Sequence, residues 1–347
     1  MTANETPQGI DTERVSRWID EHVPGAQSPY EYSLIAGGRS NLTYRVTDSR
    51  GRRMVLRRPP LSHALASAHD MGREHRIIAA LRSTRVPVPD ALGLCTDESV
   101  NGASFYMMEF VDGHIILDQD AALRLLSEAS RTAASTALVD TLAEIHRVDP
   151  TAVGLGELGR HEGYIARQLK RWYGQWNASK TRELTDIDVV HDELSRRIPD
   201  QGAATIVHGD FRLDNCIIGE DGDVRAVLDW ELCTLGDPLA DLGLLMVYWT
   251  GPNDDSNIRP FSGTQAPGFL DRRDIAARYA QASGRDISKL DFYVAFAYWK
   301  LACIMEGVFA RYQAGAMGST DAESLRLFSE QVEMSARQAR ETLSRLG

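Results

Sequence analysis

His208-Gly209-Asp210-Phe211-Arg212-Leu213-Asp214-Asn215, answered at Asp229-Trp230 by a second acid, is the stretch whose reading decides the fold. The runs around it have the length and β-branched content of short strands. Thr205–Val207 enters the loop, Cys216–Ile218 leaves it, and residues 223–228 return after a turn at 219–222. Asp210 and Asn215 therefore bracket a short loop between two strands, where both side chains can enter one cleft. Asp229 closes the returning strand.

One carboxylate in this layout is placed to accept a proton, while an amide and a second carboxylate offer oxygen ligands. A small number of hard oxygen donors suits Mg²⁺, which keeps several waters and completes its shell with phosphate oxygens. Phosphoryl transfer needs such a set, because its catalysis is mostly positioning, charge neutralisation and a base for the attacking hydroxyl. Asp and Asn beside turns ordinarily serve only as turn formers. A lone Asp-x4-Asn would not displace that reading; the full string, with Asp-Trp 14 residues beyond Asn215, does.

Working outward, the downstream chain reads as helix: residues 121–148, 164–178, 187–198, 238–249, 272–283, 289–312 and 322–346 carry apolar residues at helical spacing. Residues 251–268 form the one long irregular stretch. Upstream, residues 11–22 predict a helix with Asp11 or Thr12 as its cap. Residues 32–35, 42–47, 53–57, 91–95 and 105–110 read as five strands, with a helix at 70–83 inserted. Asp48-Ser49-Arg50-Gly51 is a hairpin-type turn between the second and third.

Composition narrows the function classes. The 347 residues carry 38 basic and 49 acidic side chains, a net charge of −11, with 43% hydrophobic and 25% charged residues. That is ordinary globular composition for one large domain or two lobes. The acidic balance argues against nucleic-acid binding. Thirty-four of the basic residues are Arg and only four are Lys (Lys170, Lys180, Lys289, Lys300), so no mechanism can use a lysine in the first half. From Arg45 to Arg82, nine arginines face Asp48, Asp70 and Glu74, a local net of +6. Cys95, Cys216, Cys233 and Cys303 form no metal or thioredoxin spacing and read as buried, reduced thiols. The N-terminus lacks a signal-peptide pattern, and the longest unbroken apolar run, residues 242–249, is far short of a membrane span. A cytoplasmic protein without membrane contact is expected.

With these residues in view, the chain resembles the aminoglycoside phosphotransferase family, whose fold is similar to that of protein kinases. The likeness runs from about residue 32 to residue 312, and Gly236-Asp237-Pro238-Leu239-Ala240-Asp241 fits the family's usual sequel. It implies an α+β, bilobal, kinase-like fold. Residues 1–110 would form a small antiparallel-sheet lobe that binds nucleotide, and residues 111–347 a mainly helical lobe with the catalytic loop and acceptor site. By the same match Asp210 is the catalytic base, Asn215 and Asp229 hold Mg²⁺, and ATP or GTP is the phosphoryl donor. Asp237 and Asp241 read as structural, Asp237 as the cap of a helix begun by Pro238.

The first lobe can be matched to the same pattern. Gly37-Gly38-Arg39-Ser40-Asn41 lies between two strands, where glycines and successive N–H groups can cradle phosphate; Gly37, Gly38, Ser40 and Asn41 are the binding candidates. The kinase pattern wants a lysine on the third strand paired with a glutamate on the next helix. Here that strand reads Met54-Val55-Leu56-Arg57-Arg58, so Arg57 replaces the lysine and Glu74 is its partner. Arginine grips phosphate bidentately, so the exchange is chemically sensible without being conservative. Arg58, on the opposite strand face, is expected to be a solvated charge. Residues 105–113 match the connecting hinge, where backbone groups of Glu109 and Val111 would read adenine. His146 is expected to be a hydrogen-bonded packing residue.

The acceptor would be a small hydroxylated molecule. Asp254 and Asp255 could meet a cationic aminoglycoside. Val55-Leu56-Arg57-Arg58-Pro59-Pro60 and Ser67-Ala68-His69-Asp70-Met71-Gly72-Arg73-Glu74 resemble the subgroup whose relatives are also found joined to acyl-CoA dehydrogenases. That likeness adds a hydroxyacyl thioester or another metabolite to the candidates. The alternative is a non-catalytic, pseudokinase-like nucleotide-binding scaffold, favoured by the arginine in place of lysine and opposed by the intact Asp210, Asn215 and Asp229.

Overall fold

Two elements that the periodicity brings out early, the helix Thr12–His22 (α1) and the strand Arg53–Arg58 (β3), are packed against one another's neighbours in a first compact unit. The structure, a computed structural model, describes residues 7–36, 41–61, 70–252, 254, 262–315 and 321–345. The chain divides into two compact units, residues 1–113 with 225–231, and residues 114–224 with 232–347.

In the first unit, β1 (Glu31–Ala36), β2 (Leu42–Thr47), β3, β4 (Ala91–Cys95) and β5 (Phe105–Glu109) form one antiparallel sheet in the order β1-β2-β3-β5-β4. Asp11 accepts from the Arg14 amide and caps α1, whose Val15, Trp18 and Ile19 are buried. Trp18 lies edge-on to Phe105, its centroid 4.9 Å away. A Cβ on Gly93 would come within 2.9 Å of the Trp18 ring, so the glycine lets β4 approach α1. Helix α2 (Met71–Leu81) is capped by Asp70 and buries Met71, Ile77, Ile78 and Leu81, with Glu74 on the same face. A short helix, α3 (Glu98–Asn101), absent from the sequence expectation, joins β4 to β5.

Arg58 corrects the expectation of a solvated charge. It is 6% exposed, and its guanidinium donates to the carbonyls of Gly9, Pro59 (3.2 Å) and Asn101 (3.3 Å). The segment preceding α1 covers this face of the strand, which strand alternation alone cannot reveal.

The second unit is mainly helical. The region expected as one helix from 121 to 148 is two, α4 (Gln119–Leu125) and α5 (Glu128–Arg147); Leu126 is extended and Ser127 caps α5 by accepting from the Ser130 amide. Helices α6 (Tyr164–Ser179) and α7 (Thr185–Arg196) follow, then β6 (Thr205–Val207) and β7 (Cys216–Ile218); the next strand in the chain, β8 (Val224–Val227), belongs from Arg225 onward to the first unit. A further strand, β9 (Thr234–Gly236), not expected from sequence, pairs antiparallel with β6. The chain ends with α8 (Pro238–Tyr248), α9 (Arg272–Ser283), α10 (Leu290–Gln313) and α11 (Ala322–Leu343). Asp237 caps α8 with Pro238 at its first turn.

The core of this unit gathers around α10, with Trp176, Phe292, Phe296 and Trp299 among its buried rings. By length and composition α10 could cross a membrane, although Lys300 and Glu306 break its apolar run, but 78% of its apolar stretch is buried within the protein. All four cysteines are free and buried.

Candidate active site

The loop after β6 is built on a buried carboxylate. Asp241, 1% exposed on the first turn of α8, accepts from the His208 amide (2.7 Å) and the Gly209 amide (2.9 Å). Behind it, His146 places Nε2 3.2 Å from Asp241 Oδ2 and Nδ1 2.7 Å from the Tyr279 hydroxyl. The carboxylate can only accept, so the network puts the His146 proton on Nε2 and has Tyr279 donate to Nδ1. Burial pushes the Asp241 carboxyl up, but His146, His208 and the Gly209 amide hold it below the ordinary carboxylate value. Burial in turn pulls His146 below the ordinary histidine value. His146 is thus the hydrogen-bonded packing residue expected, with a further duty toward the loop.

Gly209 has φ +86, and a Cβ there would sit 2.8 Å from the Leu232 carbonyl oxygen. Only glycine fits this turn without strain. It delivers Asp210 with its carboxylate 22% exposed and braced: Oδ2 accepts from Asn215 Nδ2 (3.0 Å) and Arg212 Nε (3.2 Å). Asn215 Nδ2 also donates to the Asp210 carbonyl at 2.7 Å, which leaves the Asn215 carbonyl oxygen as its ligating atom. Arg212 pairs as well with Asp214 and stacks over Tyr248, 5.0 Å from the ring centroid. Burial works against its charge, and Asp210 and Asp214 more than restore it.

The first unit holds the second constellation. Arg57, on β3, is 8% exposed. Its Nη1 lies 3.2 Å from Glu74 Oε1, and its Nη2 lies 2.6 Å from Asp229 Oδ1 and 3.8 Å from Glu231 Oε2. Burial opposes the Arg57 charge, and Glu74, Tyr106 and Asp229 outweigh it. Burial also raises the Glu74 carboxyl above its ordinary value, against the pull of Arg57. Asp229 has φ 63, the one positive φ at a non-glycine among the described residues. Such strain at a polar residue points to a function that needs the side chain there. Asn41 joins through Glu231, which accepts from Asn41 Nδ2 at 3.0 Å, while Asn41 Oδ1 is buried without a partner.

Each expected residue can now be located. Asn41, Arg57, Glu74 and Asp229 converge within the first unit, and Asp210 and Asn215 within the second. Glu109 and Val111 lie apart from the Arg57 cluster, since Glu109 is in register with Met54, three residues along β3 and so about 10 Å away. Glu109 exchanges contacts with Asp90, and the Val111 N–H has no hydrogen-bond partner among the described residues. Gly37, Gly38 and Ser40 fall outside the described residues, as does Asp255. Asp254 is already engaged by Arg272 (2.8 Å) and the Gly251 amide (2.8 Å), so it is no open cation receptor. Among the described residues, no three His, Cys, Asp or Glu side chains are grouped to hold a metal.

Sequence reasoning missed three residues of these clusters: Glu231, Arg212, and Lys300, whose ammonium lies 3.5 Å from the Gly209 carbonyl oxygen. Glu231 follows Asp229 by two residues and lies in the 3-10 turn Trp230–Leu232, a local conformation that the sequence gives no sign of. Lys300 is one of four lysines and interrupts an apolar helix.

The chain belongs to the APH phosphotransferase enzyme family, whose sequence profile matches residues 31–293. Acyl-CoA dehydrogenase family member 11 of Gallus gallus is 36% identical over 330 residues, covering 93% of this chain but 41% of that protein. Acyl-CoA dehydrogenase family member 10 of Mus musculus is 37% identical over 301 residues, covering 85% of this chain and 28% of that protein. The chain thus spans well under half the length of these curated relatives. Among solved structures, one from Ralstonia eutropha JMP134, provisionally described as an aminoglycoside phosphotransferase, is 34% identical, covers 95% of this chain and 98% of its own, and has a TM-score of 0.79. The GDP complex of aminoglycoside 2'-phosphotransferase-IIIa is 12% identical over 94% of this chain and 99% of that one, with a TM-score of 0.65, a likeness of fold. The expected family, its acyl-CoA dehydrogenase-associated branch and the kinase-like α+β fold are borne out. The family is one of phosphotransferase enzymes.

Proposed function

We propose that this protein is a cytoplasmic, nucleotide- and Mg²⁺-dependent O-phosphotransferase acting on a small hydroxylated molecule, with Asp210 as its base. The braced, partly exposed Asp210 carboxylate carries the reading. Asn215 and Arg212 orient Oδ2, and the Asp241 anchor fixes the preceding peptides, so that Asp210 can take the proton of an acceptor hydroxyl.

The residues present fit the donor and its cation. Asp229 carries a carboxylate and Asn215 an amide oxygen, hard oxygen donors in the small number that suits Mg²⁺ completed by water and phosphate oxygens. Asp229 and Asn215 are the proposed Mg²⁺ ligands. Arg57, oriented by Glu74, would grip the donor phosphates. The loop of Gly37, Gly38, Ser40 and Asn41 would cover them, and the open Val111 N–H and the Glu109 backbone would receive the base. When bound, Mg²⁺ and ATP or GTP supply charge neutralisation and the phosphoryl group. This assigns residues 1–110 to nucleotide and residues 111–347 to the acceptor.

For the acceptor, the engaged Asp254 gives no support to a polycation such as an aminoglycoside. The acyl-CoA dehydrogenase names of the longer relatives favour a hydroxyacyl thioester. One observation favours a non-catalytic nucleotide-binding scaffold: Arg57 is already paired with Asp229. Labelled-nucleotide transfer across a panel of hydroxy acids, hydroxyacyl thioesters and aminoglycosides tests the proposal. Asp210→Asn should lower transfer at least about a hundredfold with an unchanged melting temperature. Equal traces for wild type and variant on every acceptor would sink the assignment, and thermal stabilisation by Mg²⁺-ATP without turnover would favour the scaffold.

A further inference from the structure

Lys300 is the one buried lysine of the four, 9% exposed on the apolar helix α10. Its ammonium makes a single hydrogen bond among the described residues, to the Gly209 carbonyl oxygen at 3.5 Å, and lies 5.7 Å from the Trp172 ring centroid. An ammonium has three donors, and burying a charge with donors unmet is costly. The space beside it, lined by Tyr164, Asp241, Leu244 and Phe296 among others, is a cavity of about 10 Å³, the scale of one water molecule. Burial pulls the Lys300 pKa below the ordinary lysine value, with Asp210 and Asp241 pulling back.

Stability does not explain the charge. Replacing a buried charge by an apolar chain of similar volume is often neutral or stabilising, and the neighbours Trp172, Leu244 and Phe296 would pack as well against methionine. What the ammonium adds is a hold on Gly209. The Gly209 N–H is taken by Asp241 Oδ1 at 2.9 Å, and its carbonyl by Lys300, so the residue before Asp210 is tied at both ends by opposite charges. Gly209 sits at a positive φ that only glycine adopts freely, so side-chain packing cannot fix it and polar anchors must.

We propose that Lys300 is a positioning residue of the catalytic loop, its ammonium fixing the peptide from which Asp210 projects. This rests on the reading of Asp210 as the base. It adds an anchor on α10 to the one that Asp241 provides on α8.

Lys300→Met in the full chain tests it with three readouts. The melting temperature should stay the same or rise. Turnover should fall about 10- to 100-fold, the scale expected for a small misplacement of a reacting group, with the donor KM within about twofold. By mass spectrometry, amide hydrogen exchange over residues 205–215 should run at least about tenfold faster, because the protected His208 and Gly209 amides open more often. Unchanged exchange over 205–215 overturns the proposal, as does a fall in melting temperature that accounts for the loss of turnover. The exchange arm needs neither donor nor acceptor. A wild type that turns over nothing would therefore retire the phosphotransfer reading, while the exchange result still decides whether Lys300 holds the loop.

Discussion

Removing Arg57 should strand a buried carboxylate, and the size of the effect follows from the burial of its partners. The Glu74 side chain is 1% exposed, whereas Asp229 and Glu231 are 27% and 23% exposed and can rehydrate. Taking one partner from a buried ion pair costs about 3–5 kcal/mol, so Arg57→Ala should lose that much. Adding Glu74→Gln removes the uncompensated charge and leaves a buried amide with unmet hydrogen bonds, about 1–3 kcal/mol. The double variant should thus be about 2 kcal/mol more stable than Arg57→Ala alone, well beyond the roughly 0.5 kcal/mol scatter of independent sites. Arg58→Ala loses its bonds to three carbonyls, about 1.5–3 kcal/mol, and should add to Glu74→Gln without coupling.

The deficit also has a direction in pH. Glu74 already lies above its ordinary value of 4.5 through burial, and Arg57 is what pulls it down. Without Arg57 its folded pKa rises further above the unfolded one. The folded protein then takes up the proton more readily, so the stability contribution is present at low pH and lost as the pH rises through the folded pKa. Urea denaturation of the five single and double variants at pH 5 and 7.5 should show the Arg57→Ala deficit growing with pH, and the slope vanishing with Glu74→Gln. Thermal stabilisation by Mg²⁺-ATP should survive Arg58→Ala and disappear in Arg57→Ala. Equal losses for the two arginines, with no rescue by Glu74→Gln, would mean that the pairing on β3 has been misread.

Two further outcomes are expected. His146→Gln should cost about 1–3 kcal/mol at pH 7.5 by unsettling Asp241. Because burial holds His146 below 6.5, the wild type loses stability as the pH falls below about that value, and the variant should lack this acid slope in melting temperatures taken from pH 7.5 to 5. Asp229→Asn keeps a residue that tolerates the left-handed backbone, so the fold should hold within about 1 kcal/mol while Mg²⁺-dependent turnover falls about a hundredfold or more. A variant as active as wild type removes Asp229 from the machinery.

The catalytic loop was legible because its chemistry lies within eight consecutive residues and its strands announce themselves on both sides. Arg57 and Glu74 could be paired because the resemblance to the kinase pattern sets a cation on the third strand against a glutamate on the next helix, and both stand in that order. What stayed hidden depended on contacts distant in sequence. Arg58 alternates to a face that in many sheets meets water, and only the segment before α1, lying over it, buries it. The break at Leu126 sits inside a run of good helix formers and is set by the Ser127 cap. Strand β9 has three residues, too few for a period to show, and exists because β6 pairs with it. Asp241 looked structural and is, yet its structural work is to hold the two peptides that precede Asp210.

The arginine that replaces lysine gains a further meaning from its two partners. A lysine is a point charge, whereas the guanidinium fork offers Nη1 to Glu74 and Nη2 to Asp229 at once. On the proposed reading, a phosphate that took the place of Asp229 at Nη2 would leave Nη1 on the buried Glu74. The displaced Asp229 Oδ1 is then released at the moment a cation ligand is required. The residue proposed to grip phosphate and the residue proposed to bind the cation are therefore freed by a single exchange of partners. Donor and cation should bind in a mutually dependent way, and each alone should bind weakly against the 2.6 Å ion pair it has to open.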